Sequence, residues 1–206
     1  MKTLRCSLAV LTLLASSLGA CPGHAVKVKL VTVPNTYRMI ENPASLAVAP
    51  KCAGLSKLEV VDARDDTATV GEIFKEDDPS LRDSILLEGK LTEWVGKAVR
   101  EVLETAAVSL DESGAPALDV RIARFKVVSK VAFNAEFRSM IVLDVVVRDA
   151  GTREICWESR TSGVGENYGS AKRAENYVEV MSQSADRALL SLLGDAGFVN
   201  ALCECR

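Results

Sequence analysis

The chain has 206 residues, 26% of them charged, and a formal net charge of −3. Its 25 basic and 28 acidic side chains are interleaved, which excludes the clustered basic surface that a nucleic-acid-binding protein needs. His24 is the only histidine, so the folded region lacks the residue on which Ser-His-Asp and Cys-His nucleophiles, HExxH zinc sites and facial-triad iron centres depend. We therefore expect a protein that is not an enzyme and has no catalytic residues, cofactor or metal.

The N-terminus has the pattern of an export signal. Lys2 and Arg5 precede an apolar run over 8–14 that is too short to span a bilayer, and small residues follow it. Residues 18–21 read Leu-Gly-Ala-Cys, an ending that resembles the lipobox of bacterial lipoproteins. In those proteins the signal is removed before the cysteine, which then carries the acyl chains.

We accordingly expect residues 1–20 to be removed and Cys21 to be lipidated, which would anchor the mature protein to a membrane. An ordinary signal peptide cut after Ala20 or Ala25 is the alternative. Pro22 stands where an Asp commonly retains lipoproteins at the inner membrane. We therefore expect the protein on the periplasmic side of the outer membrane.

Hydrophobic periodicity predicts the elements of the mature chain. Alternating apolar residues indicate half-buried strands, and apolar residues recurring every three or four positions indicate amphipathic helices. We assign residues 21–56 to the anchor, a tether and a first strand, and residues 57–206 to a single domain. In chain order, the sequence predicts a strand over 26–33, a strand over 56–63, a polar loop over 64–84, a helix over 87–108, strands over 117–128, 140–148 and 154–161, a loop over 163–169, a helix over 174–192 and a short helix over 198–203.

The order β-β-α-β-β-β-α predicts an α/β protein of the two-layer α+β type, with a mixed sheet of four or five strands and two long helices packed on one face. The parity of apolar residues changes within the 117–128 strand, which predicts a bulge near Ala123 and Arg124. Gly151 indicates a hairpin turn. Ser170 is the expected N-cap of the second long helix.

Six cysteines occur in the chain. Cys6 leaves with the signal, and with Cys21 lipidated an even number remains, which favours two disulfides in an oxidising compartment. We expect a bridge from the early segment to one of the two C-terminal cysteines, with three connectivities open. The Cys-x-Cys pair has no nearby histidine and is a weak metal signal. The disulfide candidates are Cys52, Cys156, Cys203 and Cys205.

Two polar patterns suggest chemistry, but in both the structural interpretation is favoured. Two acidic clusters offer carboxylates for calcium or glycoside hydrolysis, yet they lie in or beside one predicted loop without EF-hand spacing. The glycine-rich segment 163–169 follows a strand and precedes a helix, as a phosphate-binding loop does. No parallel strand follows it, and Glu166 would repel a phosphate. The acidic clusters are Asp62, Asp65 and Asp66, and Glu76, Asp77 and Asp78.

A set of large apolar side chains would suit a groove for an acyl chain or a partner helix. Each of them falls on the apolar phase of its own element, which indicates core packing instead. The set comprises Trp94, Trp157, Tyr177 and Met181.

Several segments resemble one family. They are the ending at Cys21, the Asp62-Ala63-Arg64 segment with Val70-Gly71, the helix over 91–108, the strands over 118–128 and 142–147 with Gly151 and Trp157, the segment 163–167 and the terminal helices. On these residues the chain resembles the YajG-like family of bacterial outer-membrane lipoproteins, within a broader set of small α/β envelope lipoproteins that includes auxiliary subunits of transporters. The resemblance covers residues 57–202. It implies an anchored, non-enzymatic envelope protein that faces the periplasm and assists assembly or lipid transport.

Two functions therefore remain. The leading hypothesis is an interaction module that binds an envelope protein, with the predicted loop over 64–84 as the recognition surface because such loops commonly carry binding residues. The alternative is a periplasmic carrier that holds a lipid or acyl chain between the sheet and the helices. Neither hypothesis fixes the oligomeric state.

Overall fold

The computed structural model describes residues 30–41, 52–75, 82–131, 134–170 and 173–205. These residues form strands and helices in an order that begins and ends as the sequence predicts, with additional strands in between. The elements are β1 (Leu30–Val33), β2 (Gly54–Leu55), β3 (Lys57–Asp62), β4 (Gly71–Lys75), β5 (Arg82–Leu87), α1 (Leu91–Thr105), β6 (Ser109–Leu110), β7 (Ala117–Val131), β8 (Ala135–Arg148), β9 (Ile155–Gly169), α2 (Ala174–Leu193) and α3 (Ala196–Glu204).

Seven strands form one mixed sheet in the order β1-β5-β4-β7-β8-β9, with β3 also paired to β7. The long strands β7, β8 and β9 are antiparallel neighbours. β3 pairs in parallel with the first half of β7 and β4 with its second half, so the two short strands lie one after the other along the same edge of β7. β2 and β6 form a separate parallel pair.

The helices pack on one face of this sheet and create the core. The apolar stripe of α1 is buried as its periodicity predicts, and Trp94 is its largest member. The Trp94 ring meets Tyr37 and Phe125 edge-on, each at a centroid distance of 5.7 Å. Helix α2 packs mainly on β9 and β8, and it also contacts α1. The predicted two-layer architecture, with both long helices on one face of a mixed sheet, is confirmed.

The strand count was wrong, because the sheet has seven strands rather than four or five. The predicted loop over 64–84 contains β4 and the first half of β5. The predicted loop over 163–169 is the second half of β9. The bulge near Ala123 and Arg124 is confirmed, because the register between β7 and β8 shifts between Ile122 and Arg124. Helix α1 begins at Leu91, and Arg173 rather than Ser170 is the N-cap of α2.

No helix in the described ranges has the length and apolar character that a membrane crossing requires. Cys21 and the predicted signal lie outside the described residues.

Candidate interaction surface

The face of the sheet opposite the helices is exposed, and we call it the open face. Successive side chains of a strand point to opposite sides of a sheet, so alternate residues of β3, β7, β8 and β9 reach this face. They form a depression of about 940 Å³. The residues lining it include Glu59, Val61, Asp119, Arg121, Asp144, Val146, Arg148, Glu158 and Arg160.

Opposite charges alternate across the open face. The strand register places Arg121 opposite Asp144, and Asp144 opposite Arg160. The Nε of Arg160 donates a 2.6 Å hydrogen bond to Asp144, and the Nε of Arg148 donates a 2.7 Å bond to Asp119. The hydrogen bond from Arg160 outweighs partial burial and holds the pKa of Asp144 below its ordinary value. Both carboxylates are thus already paired with an arginine of a neighbouring strand.

Exposed apolar side chains lie among these charges. Val61 is 50% exposed at the depression, and Met140 and Val164 are exposed on the same side of the neighbouring strands. The carboxylate of Glu158 makes no hydrogen bond or ion pair with any described residue. Exposed apolar groups with polar residues around them are common on surfaces that bind another protein.

The first acidic cluster does not form a site. The carboxylate of Asp62 is paired with the guanidinium of Arg64 through bonds of 2.8 and 2.9 Å. Asp66 instead accepts hydrogen bonds from the backbone of Ala68 and the hydroxyl of Thr69. Within the described ranges no three His, Cys, Asp or Glu side chains converge as a metal ion requires. The second cluster, over 76–78, lies outside the described residues.

The glycine-rich segment allows close packing between α2 and β9. A Cβ on Gly163 would lie 2.0 Å from the backbone oxygen of Ser184, and one on Gly165 would lie 2.1 Å from that of Val180. Both distances are far below any van der Waals contact. The segment therefore serves helix-to-sheet packing and has no loop that could hold a phosphate.

The apolar set is in or against the core. Trp94, Tyr177 and Met181 are fully buried, and Trp157 is half-buried against Phe198 at a ring distance of 5.2 Å. These side chains fill the interface between sheet and helices instead of lining a groove.

The segment over 34–41, which we call the strap, crosses the helices and is held by a buried carboxylate. Asp186 of α2 is fully buried; it accepts a hydrogen bond from the hydroxyl of Tyr37 and bonds of 2.7 and 2.9 Å from the N–H groups of Ile40 and Glu41. Burial and then the bond to Asp186 raise the pKa of Tyr37. Sequence reasoning missed Asp186, because nothing in the pattern distinguishes it from the solvated charges of α2.

Two disulfides tie the C-terminus to the rest of the chain. Cys52 is bonded to Cys203, and Cys156 to Cys205. The sequence left Cys203 and Cys205 open as the partner of Cys52, and the structure shows Cys203. Cys203 and Cys205 are thus bonded to different parts of the fold, because Cys156 lies on β9 and Cys52 precedes β2.

No protein-family model and no curated protein matches the chain. Among solved structures, a protein of the DUF330 family from Xanthomonas campestris is similar, with a TM-score of 0.53 and 13% identity over 84% of this chain and 96% of that one. An uncharacterised protein has a TM-score of 0.47 and 11% identity over 82% and 98% of the two chains. A candidate lipoprotein from Caulobacter crescentus has a TM-score of 0.39 and 17% identity over 53% and 84%. At such identities the first likeness establishes the fold and nothing more.

Proposed function

We propose that the chain is a lipid-anchored accessory protein of the bacterial envelope that binds a protein partner through the open face. The lipobox-like ending at Cys21 supports the anchor, and the YajG-like resemblance supports the outer membrane and the periplasmic side. The partner is an envelope protein engaged in assembly or lipid transport. The protein acts by binding and not by catalysis.

The open face is the observation that carries this proposal. All three helices cover the opposite face of the sheet, while the open face presents alternating charges around exposed apolar side chains. A partner with complementary charges would bury Val61 and its neighbours and would pair with charged side chains of the depression, such as Arg121. In the described part of the 64–84 segment most residues belong to strands, and the Arg64 side chain is hydrogen-bonded to Thr69 of the same segment. The open face therefore replaces this segment as the proposed recognition surface.

The acyl-chain carrier is the weaker proposal. The space between sheet and helices, where a carrier would hold its cargo, is filled by buried side chains such as Trp94, Phe137 and Tyr177. A depression of about 490 Å³ between the strap and α2, bordered by Ile40 and Val178, is the more apolar place for a chain. Native mass spectrometry of the chain extracted from membranes distinguishes the two functions, because a carrier retains a second lipid besides the acyl groups on Cys21.

In-cell photo-crosslinking tests the proposal. A photoreactive residue at Val61, in the depression, should capture one envelope protein, whereas the same residue at Lys97, exposed on α1, should not. Arg121→Ala should weaken the capture at Val61 because it removes a charge from the surface, and Lys97→Ala should leave it unchanged. Cys21→Ala should release the protein from membranes and abolish the capture.

Three results would contradict this function. They are equal capture at both positions, a Cys21→Ala variant that stays membrane-bound, and turnover of an envelope substrate by the purified chain. Denaturation midpoints of the variants separate lost binding from lost folding.

A further inference from the structure

Strand β9 is an edge of the sheet, since β8 is its only partner among the described strands. Exposed edges invite pairing with another chain, and proteins commonly cover them. Here the second half of β9 is covered by α2. The Arg187 guanidinium donates a 2.6 Å bond to the carbonyl of Val164, and the side-chain oxygen of Gln183 accepts a 3.1 Å bond from the N–H of Glu166. At the start of β9 the Cys156–Cys205 disulfide attaches the C-terminus.

Between these covered parts lie residues 158–162, which we call the window. Both groups reached by α2 belong to even-numbered residues, and backbone groups alternate in direction along a strand. Glu158, Arg160 and Ser162 therefore direct their N–H and C=O groups to the free edge. No group of the described residues hydrogen-bonds to them there.

The window is also open on the helix side. Ser159 lies on the side of β9 that faces the helices, yet it is exposed, whereas Thr161 on the same side is buried. Neither α2 nor α3 covers the strand at this point. Among the residues that the structure describes, none occupies the place of a second strand beside the window.

The sequence of the window is complementary to itself. In an antiparallel pairing about a two-fold axis through Ser159, Glu158 of one copy lies opposite Arg160 of the other, and the reverse. These two pairs would exchange backbone hydrogen bonds, because both residues point to the edge. Each would also place opposite charges side by side on the open face, where Glu158 has no partner among the described residues. The small Ser159 side chains would meet at the axis, where opposed backbones approach most closely.

We propose that two copies of this chain pair through the window and form a continuous sheet across a two-fold axis. The two open faces then adjoin and make one extended surface. The pairing does not depend on the envelope partner, and attachment of both copies to one membrane would favour it by raising their local concentration.

Cysteine crosslinking of the full chain in membranes tests this pairing. Directly opposed residues without mutual hydrogen bonds have Cα atoms about 4.5 Å apart, which is within the range of a disulfide. Ser159→Cys should therefore form a covalent homodimer under mild oxidation. Thr67→Cys, also exposed but on the far side of β7, adds the same thiol and should stay monomeric.

Charge exchange provides the second arm. Glu158→Arg places like charges opposite each other and should abolish the Ser159→Cys dimer, and it should shift the chain with native Ser159 to monomer in analytical ultracentrifugation. Adding Arg160→Glu to Glu158→Arg places opposite charges together again. It should restore the disulfide-linked dimer of Ser159→Cys and the dimer seen by ultracentrifugation. A dimer that survives Glu158→Arg, equal crosslinking at Thr67→Cys, or an adduct of Ser159→Cys with a different protein would overturn the proposal.

Discussion

Arg64 shows how one side chain joins two strands. Its side chain is only 7% exposed. The guanidinium pairs with Asp62 at the end of β3 and donates a 2.8 Å bond to the carbonyl of Thr69, before β4. A further bond of 3.5 Å reaches the carbonyl of Phe125, beside the bulge of β7. Arg64 thus fills the gap between the two short strands that share one edge of β7.

Replacing Arg64 should destabilise the fold strongly. Arg64→Ala leaves a largely buried carboxylate and the carbonyl of Thr69 without their donor, which typically lowers the free energy of unfolding by about 3 kcal/mol. Lys57→Ala removes a pair with Glu59 in which both side chains are exposed, and should leave the free energy of unfolding nearly unchanged. Urea denaturation of both variants checks this. An equal loss of stability in the two variants would mean that Arg64 does not join the strands as its contacts indicate.

The same pair predicts a pH dependence. Burial alone would raise the pKa of Asp62, but the hydrogen bonds and charge of Arg64 together lower it. A carboxyl with a depressed folded pKa adds stability above its unfolded pKa of about 3.9, and this stability is lost as the pH falls through the folded value. Urea denaturation at pH values between about 2 and 6, where carboxyls titrate, measures this. The free energy of unfolding should fall less steeply toward acid pH in Arg64→Ala than in the native chain. Parallel profiles would contradict the assignment.

At the scale of elements, the contact between α2 and β9 depends on residues without side chains. Thr161, Gly163 and Gly165 alternate on the face of β9 under α2, and the hydroxyl of Thr161 donates a 2.7 Å bond to the carbonyl of Ala188. With glycine at the next two inward positions, the strand approaches the backbone of the helix itself.

Gly163→Ala should therefore separate these two elements. The added methyl would overlap the backbone of Ser184, and overpacking of this kind costs about 1–3 kcal/mol or more. Gly151→Ala is the matched control, because its Cβ would meet nothing closer than 3.5 Å. Thermal unfolding checks both variants. A Gly163→Ala variant as stable as Gly151→Ala would contradict this prediction, because α2 could then move away from β9 without loss of stability.

Elements with strong periodicity were predictable from the sequence, and those defined by distant neighbours were not. Helix α1 and strand β8 carry unbroken apolar patterns that fix their type and inward face, and β7 carries one on each side of its bulge. The second half of β9 has glycine at its inward positions, so its alternation has no hydrophobic signal, and β4 is short and lies between polar stretches. Asp186 is a further case, since its burial arises from the strap, a segment distant in sequence.

The open face was only partly predictable for the same reason. The alternation of charged residues along each strand indicates which side chains face solvent. The pairing of Arg160 with Asp144 depends on strand register, which a single sequence does not fix. The exposed window at Ser159 arises from where α2 and α3 end, and no local pattern encodes it.

At the scale of the whole molecule, both ends of the described chain are fixed to the core. The strap is bonded to Asp186, and a disulfide joins Cys52 to Cys203 across 151 residues. The Cys156–Cys205 bridge closes a separation of 49 residues. These attachments restrain both ends of the chain that forms the sheet, and restraint of this kind lowers the cost of ordering a binding surface.

Removing the two bridges separately should destabilise the chain unequally. In the loop-closure description, Cys52→Ser with Cys203→Ser should lower the free energy of unfolding by roughly 5 kcal/mol, and Cys156→Ser with Cys205→Ser by about 4 kcal/mol. Urea denaturation measures the difference. The connectivity is checked by non-reducing peptide mapping with a protease that cleaves after Glu204, because this cut separates Cys203 from Cys205. Peptides that join Cys52 to Cys205 would contradict the pairing. Four thiols open to alkylation, in protein from the oxidising compartment, would contradict both bridges, and the C-terminus would then lack the attachment that restrains the sheet.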